Sequence, residues 1–106
     1  MEILIKRKHC ISFYGNGKIE IMEELSNALD LHLGEMINFA FDGGEFLIFK
    51  SPHGIPARKT KKGNSRYFRL FNREVTSHFV KDGVVRYKMG ESRVIDGVTY
   101  INIITR

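Results

Sequence analysis

The chain has few of the residues that staple, kink or interrupt a small protein. Of its 106 residues one is cysteine, two are proline and none is tryptophan. The lone Cys10 cannot close an internal disulfide, so nothing points to an oxidising compartment, and a cytoplasmic location is expected. No apolar run approaches the roughly 18 residues that a membrane span requires. The opening MEILIKRKHC does not place cations ahead of an apolar stretch, as a signal peptide does. Glycine spacings of the GxxxxGK or GxGxxG type, which cradle phosphates, are missing. His9, His32, His53 and His78 share no ligand spacing, and the His9-Cys10 neighbours are not a zinc pattern. Neither metal nor other cofactor is expected. Ser77-His78 lacks a third residue to orient a base, so no enzyme is expected.

What is present is a polarity of charge. Residues 1–53 carry five Lys/Arg against eight Asp/Glu, and residues 54–106 carry twelve against four, within a formal net charge of +5. Such a split predicts a polarised surface with one anion-seeking face. The densest stretch is 58–73, RKTKKGNSRYFRLFNR. It holds Arg58, Lys59, Lys61, Lys62, Arg66, Arg69 and Arg73 with no acidic residue, interleaved with Tyr67, Phe68 and Phe71. It reads as a flexible basic arm, a Gly63-Asn64-Ser65 turn and an alternating strand. Polyphosphate backbone is the commonest partner of such a patch, and a solvated linker is the plainer alternative.

The length suits one domain, or two closely fused halves. A first strand is expected in residues 1–6 and another from Cys10 to Tyr14. Gly15-Asn16-Gly17 is a hairpin signal, with Asn16 and Gly17 both suited to positive φ, and Lys18–Ile21 is its returning strand. From Met22 the period lengthens. Met22, Leu25, Ala28 and Leu29 share one helical face, with Glu23 and Glu24 in the first turn. Met36–Phe41 and Glu45–Lys50 form a hairpin about Asp42-Gly43-Gly44, and residues 51–56, with Pro52 and Pro56, read as a linker. The order then recurs. Arg66–Leu70 is a strand, Phe71, Val75 and Phe79 have helical spacing, and Val84–Met89 and Arg93–Ile95 are strands about a turn at Gly90-Glu91-Ser92. Thr99–Ile104 closes the chain after the turn at Asp96-Gly97. The recurrence predicts two halves, 1–53 and 54–106, related by internal duplication.

The residues Gly15-Asn16-Gly17-Lys18-Ile19-Glu20-Ile21, Glu24-Leu25, Ala28-Leu29, Leu31, Gly34-Glu35 and Ile37 resemble the AbrB/SpoVT/MazE superfamily of swapped-hairpin DNA-binding domains. Lys62-Gly63-Asn64-Ser65 with Arg69-Leu70-Phe71 is similar to the corresponding segment of MazE-type antitoxins. The family's strand-ending proline is replaced by Met22 and by Phe71. Glu20 stands where the family often has a cation, which the second copy keeps as Arg69. The resemblance implies a mainly β fold with two short helices, a small swapped-hairpin or cradle-loop barrel made as a pseudo-dimer by one chain.

By the same resemblance, basic strands and loops face duplex DNA, as in a transcriptional regulator or the DNA-binding part of an antitoxin. Carried over by position, the DNA-facing residues are Lys6, Arg7, Lys8 and Lys18 in the first half, and Lys61, Lys62, Arg66 and Arg69 in the second. Arg58, Lys59 and Arg73 join them from the basic stretch, and Arg66 and Arg69 are the expected readers of base edges. Asn16 and Asn64 either touch DNA or hold their turns. Two other functions fit the same residues. The barrel could hold an acidic, toxin-like protein partner, or Tyr67, Phe68 and Phe71 could stack on single-stranded RNA, although Phe68 suits a core. Whether the pseudo-dimer forms a further homodimer stays open.

Overall fold

The computed structural model describes residues 9–59 and 66–105. The expected strand at 1–6 and the turn at Gly63-Asn64-Ser65 lie outside them. Within the described residues the order is β1 Ile11–Tyr14, β2 Lys18–Ile21, α1 Glu23–Leu29, β3 Met36–Asp42, β4 Glu45–Lys50, β5 Ile55–Pro56, β6 Arg58–Lys59, β7 Phe68–Phe71, α2 Arg73–Thr76, β8 Val84–Ile95 and β9 Val98–Ile104. The fold is mainly β with two short helices, as the alternating patterns imply.

All nine strands belong to one antiparallel sheet, ordered β5-β3-β4-β9-β8-β1-β2-β7-β6. Its two edge strands, β5 and β6, are neighbours in sequence and are separated only by Ala57. The chain from Ile55 to Lys59 thus steps from one edge to the other, pairing Ile55 with Ile37 on β3 and then Arg58 with Arg69 on β7. This step nearly closes the sheet into a barrel. Two devices hold it in place. The Ala57 amide donates to the Glu35 carbonyl at 2.9 Å, and Gly54 lies flat on the Ile37 carbonyl, with no room for a Cβ. Residues 51–59 are therefore not the linker and free arm that their prolines and charges suggest. Pro56 is tolerated because β5 is an edge of the sheet, where a missing N–H costs no ladder bond.

Inside the barrel, paired strands contribute residues at alternate positions. Ile11 opposes Ile21 and Tyr87, Phe13 opposes Ile19 and Val85, Ile19 opposes Leu70, and Ile21 opposes Phe68. Phe13 is fully buried and stacks on Phe79, ring centroids 3.9 Å apart and planes 9° apart. Phe46 and Phe39 extend the aromatic cluster toward β3 and β4. Helix α1 buries Leu25 and Leu29, one turn apart, with Ser26 beside them. The expected Ala28 is exposed instead. Ser26 earns its buried place by donating to the Glu23 carbonyl at 3.0 Å and meeting the Arg66 carbonyl, which no hydropathy pattern reveals.

Three further expectations change. Phe71 ends β7 and is 55% exposed rather than lying on a helix. Helix α2 begins after it at Arg73, because the Asn72 side chain caps the Val75 amide at 2.9 Å. Gly90-Glu91-Ser92 is not a turn. It is an irregularity inside one long β8, where the register against β9 shifts between Met89 and Ser92. The Asp96-Gly97 turn does form, with φ of 51° and 78°, both in the left-handed region that a tight hairpin requires.

Because Gly54 touches backbone rather than a flexible side chain, Gly54→Ala is expected to force the β3–β5 contact apart. A loss of about 1–3 kcal/mol, the usual range for overpacking, should appear in denaturant unfolding. An unchanged midpoint would show that this contact does not hold the closure.

Candidate nucleic-acid interface

Alternation that sends Ile11, Phe13, Ile19, Ile21, Phe68 and Leu70 inward sends their neighbours outward. The register then aligns those neighbours across five strands. Arg86 on β8 opposes Ser12 on β1, Ser12 opposes Glu20 on β2, Glu20 opposes Arg69 on β7, and Arg69 opposes Arg58 on β6. Two residues along, Val84 opposes Tyr14, and Lys18 opposes Phe71. Lys88 shares the outward phase of β8 with Arg86. The outer face of β8-β1-β2-β7-β6 thus presents Lys18, Arg58, Arg69, Arg86 and Lys88 around one carboxylate, Glu20. Tyr14 and the exposed Phe71 lie among them.

Glu20 is held by its neighbours. One carboxylate oxygen accepts the Tyr14 hydroxyl, and the other lies 3.7 Å from Lys18 Nζ. That ammonium also sits 5.0 Å over the Tyr14 ring. The bond to Glu20 pushes the Tyr14 hydroxyl above its ordinary value of 10.0, helped by burial and by the Glu20 charge, with Arg86 acting in the opposite direction. Ser12 Oγ and Arg69 Nε are buried and have no hydrogen-bond partner among the described residues.

The expected site residues separate into three groups. Lys6, Arg7, Lys8, Lys61 and Lys62 lie outside the described residues. Lys18, Arg58 and Arg69 come together on the outer face. Lys59, Arg66 and Arg73 are engaged elsewhere. Lys59 opposes Phe68, which faces inward, and its Nζ lies 4.9 Å over that ring. Arg66 precedes β7 and ties it to helix α1, donating from Nε to Asn27 Oδ1 at 2.7 Å and from an Nη to the Ser26 carbonyl at 3.0 Å. Arg73 packs on the β1–β2 turn, donating from Nε to the Asn16 carbonyl at 3.3 Å. Asn16 itself serves the turn through its side chain, which accepts from the Lys18 amide at 3.0 Å, while positive φ falls on Gly17.

Arg86 and Lys88 were not among the expected residues, although the alternation of Val85, Tyr87 and Met89 with Arg86 and Lys88 carried the signal. No protein-family model, curated protein or solved structure matches the chain. Its own geometry is therefore the guide.

A cavity of about 400 Å³ opens on another side, between the β3–β4 hairpin and α2. Phe39, Phe46 and Phe79 line it, with Phe41, 65% exposed, and His53 and His78. Among the described residues no three His, Cys, Asp or Glu side chains gather to hold a metal, and no helix is long and apolar enough to cross a membrane.

Two outcomes follow from these contacts. Arg66→Ala should cost about 1–2 kcal/mol by releasing the end of α1, seen as a lower midpoint of denaturation. The folded pKa of Tyr14 lies above its unfolded value, so its contribution is complete below the unfolded pKa and is lost as pH rises through the folded one. Tyr14→Phe should therefore flatten the fall in stability above about pH 10, the phenol's reference range, measured by denaturant melts from neutral to alkaline pH. A wild-type alkaline slope in the variant would exclude this coupling.

Proposed function

We propose that the protein binds duplex DNA through the outer face of β8-β1-β2-β7-β6, as a DNA-binding regulator or the DNA-binding part of an antitoxin. The observation that carries this reading is the register itself, which collects five cations from four strands around one carboxylate. Clustered cations on a rigid sheet neutralise phosphates without reorganising, and their release of counterions drives sequence-independent binding. Arginines in such a row also supply bidentate donors to phosphate or guanine edges. Of the two expected base readers, Arg69 lies on this face, whereas Arg66 holds α1. Arg86 takes its place in the reading.

The proposed architecture is a pseudo-dimer of two swapped-hairpin halves in one chain. Its support lies in the pairing. Strand β1 runs between β2 of its own half and β8 of the other. Strands β5 and β6, taken as one bent strand, run between β3 of the first half and β7 of the second. Each half thus feeds its leading strand to the other half's hairpin. The second reading, a protein-interaction module, rests on the phenylalanine-lined cavity and the exposed Phe41.

Fluorescence anisotropy with mixed duplex DNA across a salt series tests the choice. Each phosphate neutralised should contribute about −0.9 to the slope of log affinity on log salt. Arg86→Ala should weaken binding and lower that slope by about 1. Glu20→Gln should tighten binding several-fold, by removing the only carboxylate on the face among the described residues. A flat, weak salt response would sink the DNA reading and favour a protein partner. Preference for single strands over duplex would favour RNA.

A further inference from the structure

Arg58 and Arg69 are direct partners across β6–β7, so their side chains leave the same face from adjacent positions. Directly opposed residues of an antiparallel pair have Cβ atoms only about 5 Å apart, and like charges there repel. A protein normally relieves such a pair with a carboxylate. Among the described residues none does so. The ion pairs are Lys18–Glu20, His32–Asp30, Lys50–Glu35 and Arg93–Glu45, and neither Arg58 nor Arg69 takes part.

The carboxylate placed to help Arg69 is already committed. Glu20 opposes Arg69 on β2, but its oxygens are directed to Tyr14 and Lys18. Among the described residues Arg69 is left with a buried Nε that has no acceptor. Its guanidinium thus makes no ion pair there and is short of a hydrogen bond. Among the described residues no strand follows β6 in the sheet order, and Arg58 is exposed. A polymer could run along this edge.

One ligand chemistry answers all three observations. We propose that Arg58 and Arg69 form a clamp for a single phosphate group, and that the phosphate belongs to a nucleic-acid backbone. Two guanidinium groups present planar, bidentate donors whose charge does not depend on pH, and a tetrahedral oxyanion can accept from both at once. The phosphate chemistry follows from the arginine pair alone. Its source in a polynucleotide rests on the DNA reading above. The clamp also assigns Arg69 to the backbone rather than to base edges.

The test has two arms. In the first, thermal unfolding of the full chain is followed in inorganic phosphate and in chloride at matched ionic strength. Phosphate should raise the melting temperature of the wild type, and not that of Arg58→Ala or Arg69→Lys. In chloride, Arg58→Ala should melt no lower than the wild type, because it removes a repulsion. In the second arm, the salt slope of duplex DNA binding is measured for Arg58→Ala, Arg69→Gln and their double variant, since the slope counts charge and a lysine would keep it. Arg58→Ala should lower the slope by about 1, and adding Arg69→Gln should lower it no further, since both residues serve one phosphate.

Equal stabilisation of all variants by phosphate would overturn the clamp, even if steep DNA binding survives. Selective stabilisation by phosphate with no DNA binding would overturn the polynucleotide source and leave a free phosphate compound as the ligand. A double variant that loses two units of slope would show two separate contacts rather than a clamp.

Discussion

Everything in this barrel depends on a five-residue step, Ile55 to Lys59, that joins the two edges of the sheet. Without it β3 and β7 would each present an open row of backbone groups, a template for unwanted pairing. With it, β3 gains Ile55 and Pro56, β7 gains Arg58 and Lys59, and the space between becomes an interior. Only then does alternation in a strand mean inside against outside. Ile37, Phe68 and Leu70 can be buried because the step covers them, and Arg69 is turned outward for the same reason. The step is short, so its tolerances are small. Gly54 against the Ile37 carbonyl and Ala57 bonded to Glu35 leave little freedom in where the edges meet.

The outer face inherits its order from that closure. A charged residue on a loop chooses its neighbours, whereas one on a strand is given them by register. Arg58 meets Arg69 because the crossing sets β6 against β7 in one phase, and Glu20 meets Tyr14 and Lys18 through the β1–β2 hairpin. The result is uneven. The carboxylate is satisfied within the first hairpin, and the arginine opposite it is not. An excess of donor capacity therefore collects at the β6–β7 side, where the proposed phosphate clamp lies.

How far the sequence disclosed this differed from element to element. The hairpins were legible, because Gly15-Asn16-Gly17, Asp42-Gly43-Gly44 and Asp96-Gly97 are local turn signals between alternating segments. The inward placement of Phe68 followed from the same period. The closing step was hidden, since two prolines and a charge run suppress every strand signal, and β5 and β6 form only through partners far away in sequence. The roles of Arg66 and Lys59 were hidden for a related reason. Composition shows that they are cationic, but not that an exposed end of α1 or a phenylalanine ring will claim them. Arg86 and Lys88 were legible in the alternation of β8, but two cations on a strand are a weaker charge signal than the dense run at 58–73.

In the proposed two-half arrangement, Glu20 and Arg69 occupy equivalent places, paired across the contact of β2 with β7. Ser12 and Arg58 are equivalent too, each opposing one of that pair from the flanking strand. The row across the sheet therefore carries an acid, a neutral residue and, farther out, Arg86 on one side of the pseudo-axis, and two arginines directly on the other. A symmetric operator requires the same contacts from both halves, so that each half-site is read alike. Among the described residues this face offers only one half with unclaimed donors. The acid in the other half costs affinity for any phosphate that symmetry would place beside it. A chain that fuses its two halves is free to let them diverge, whereas a homodimer of identical halves is not. Within the proposed DNA reading, the divergence at Glu20 and Arg69 thus argues for an asymmetric target, met by Arg58 and Arg69 on one side and by Arg86 farther out on the other.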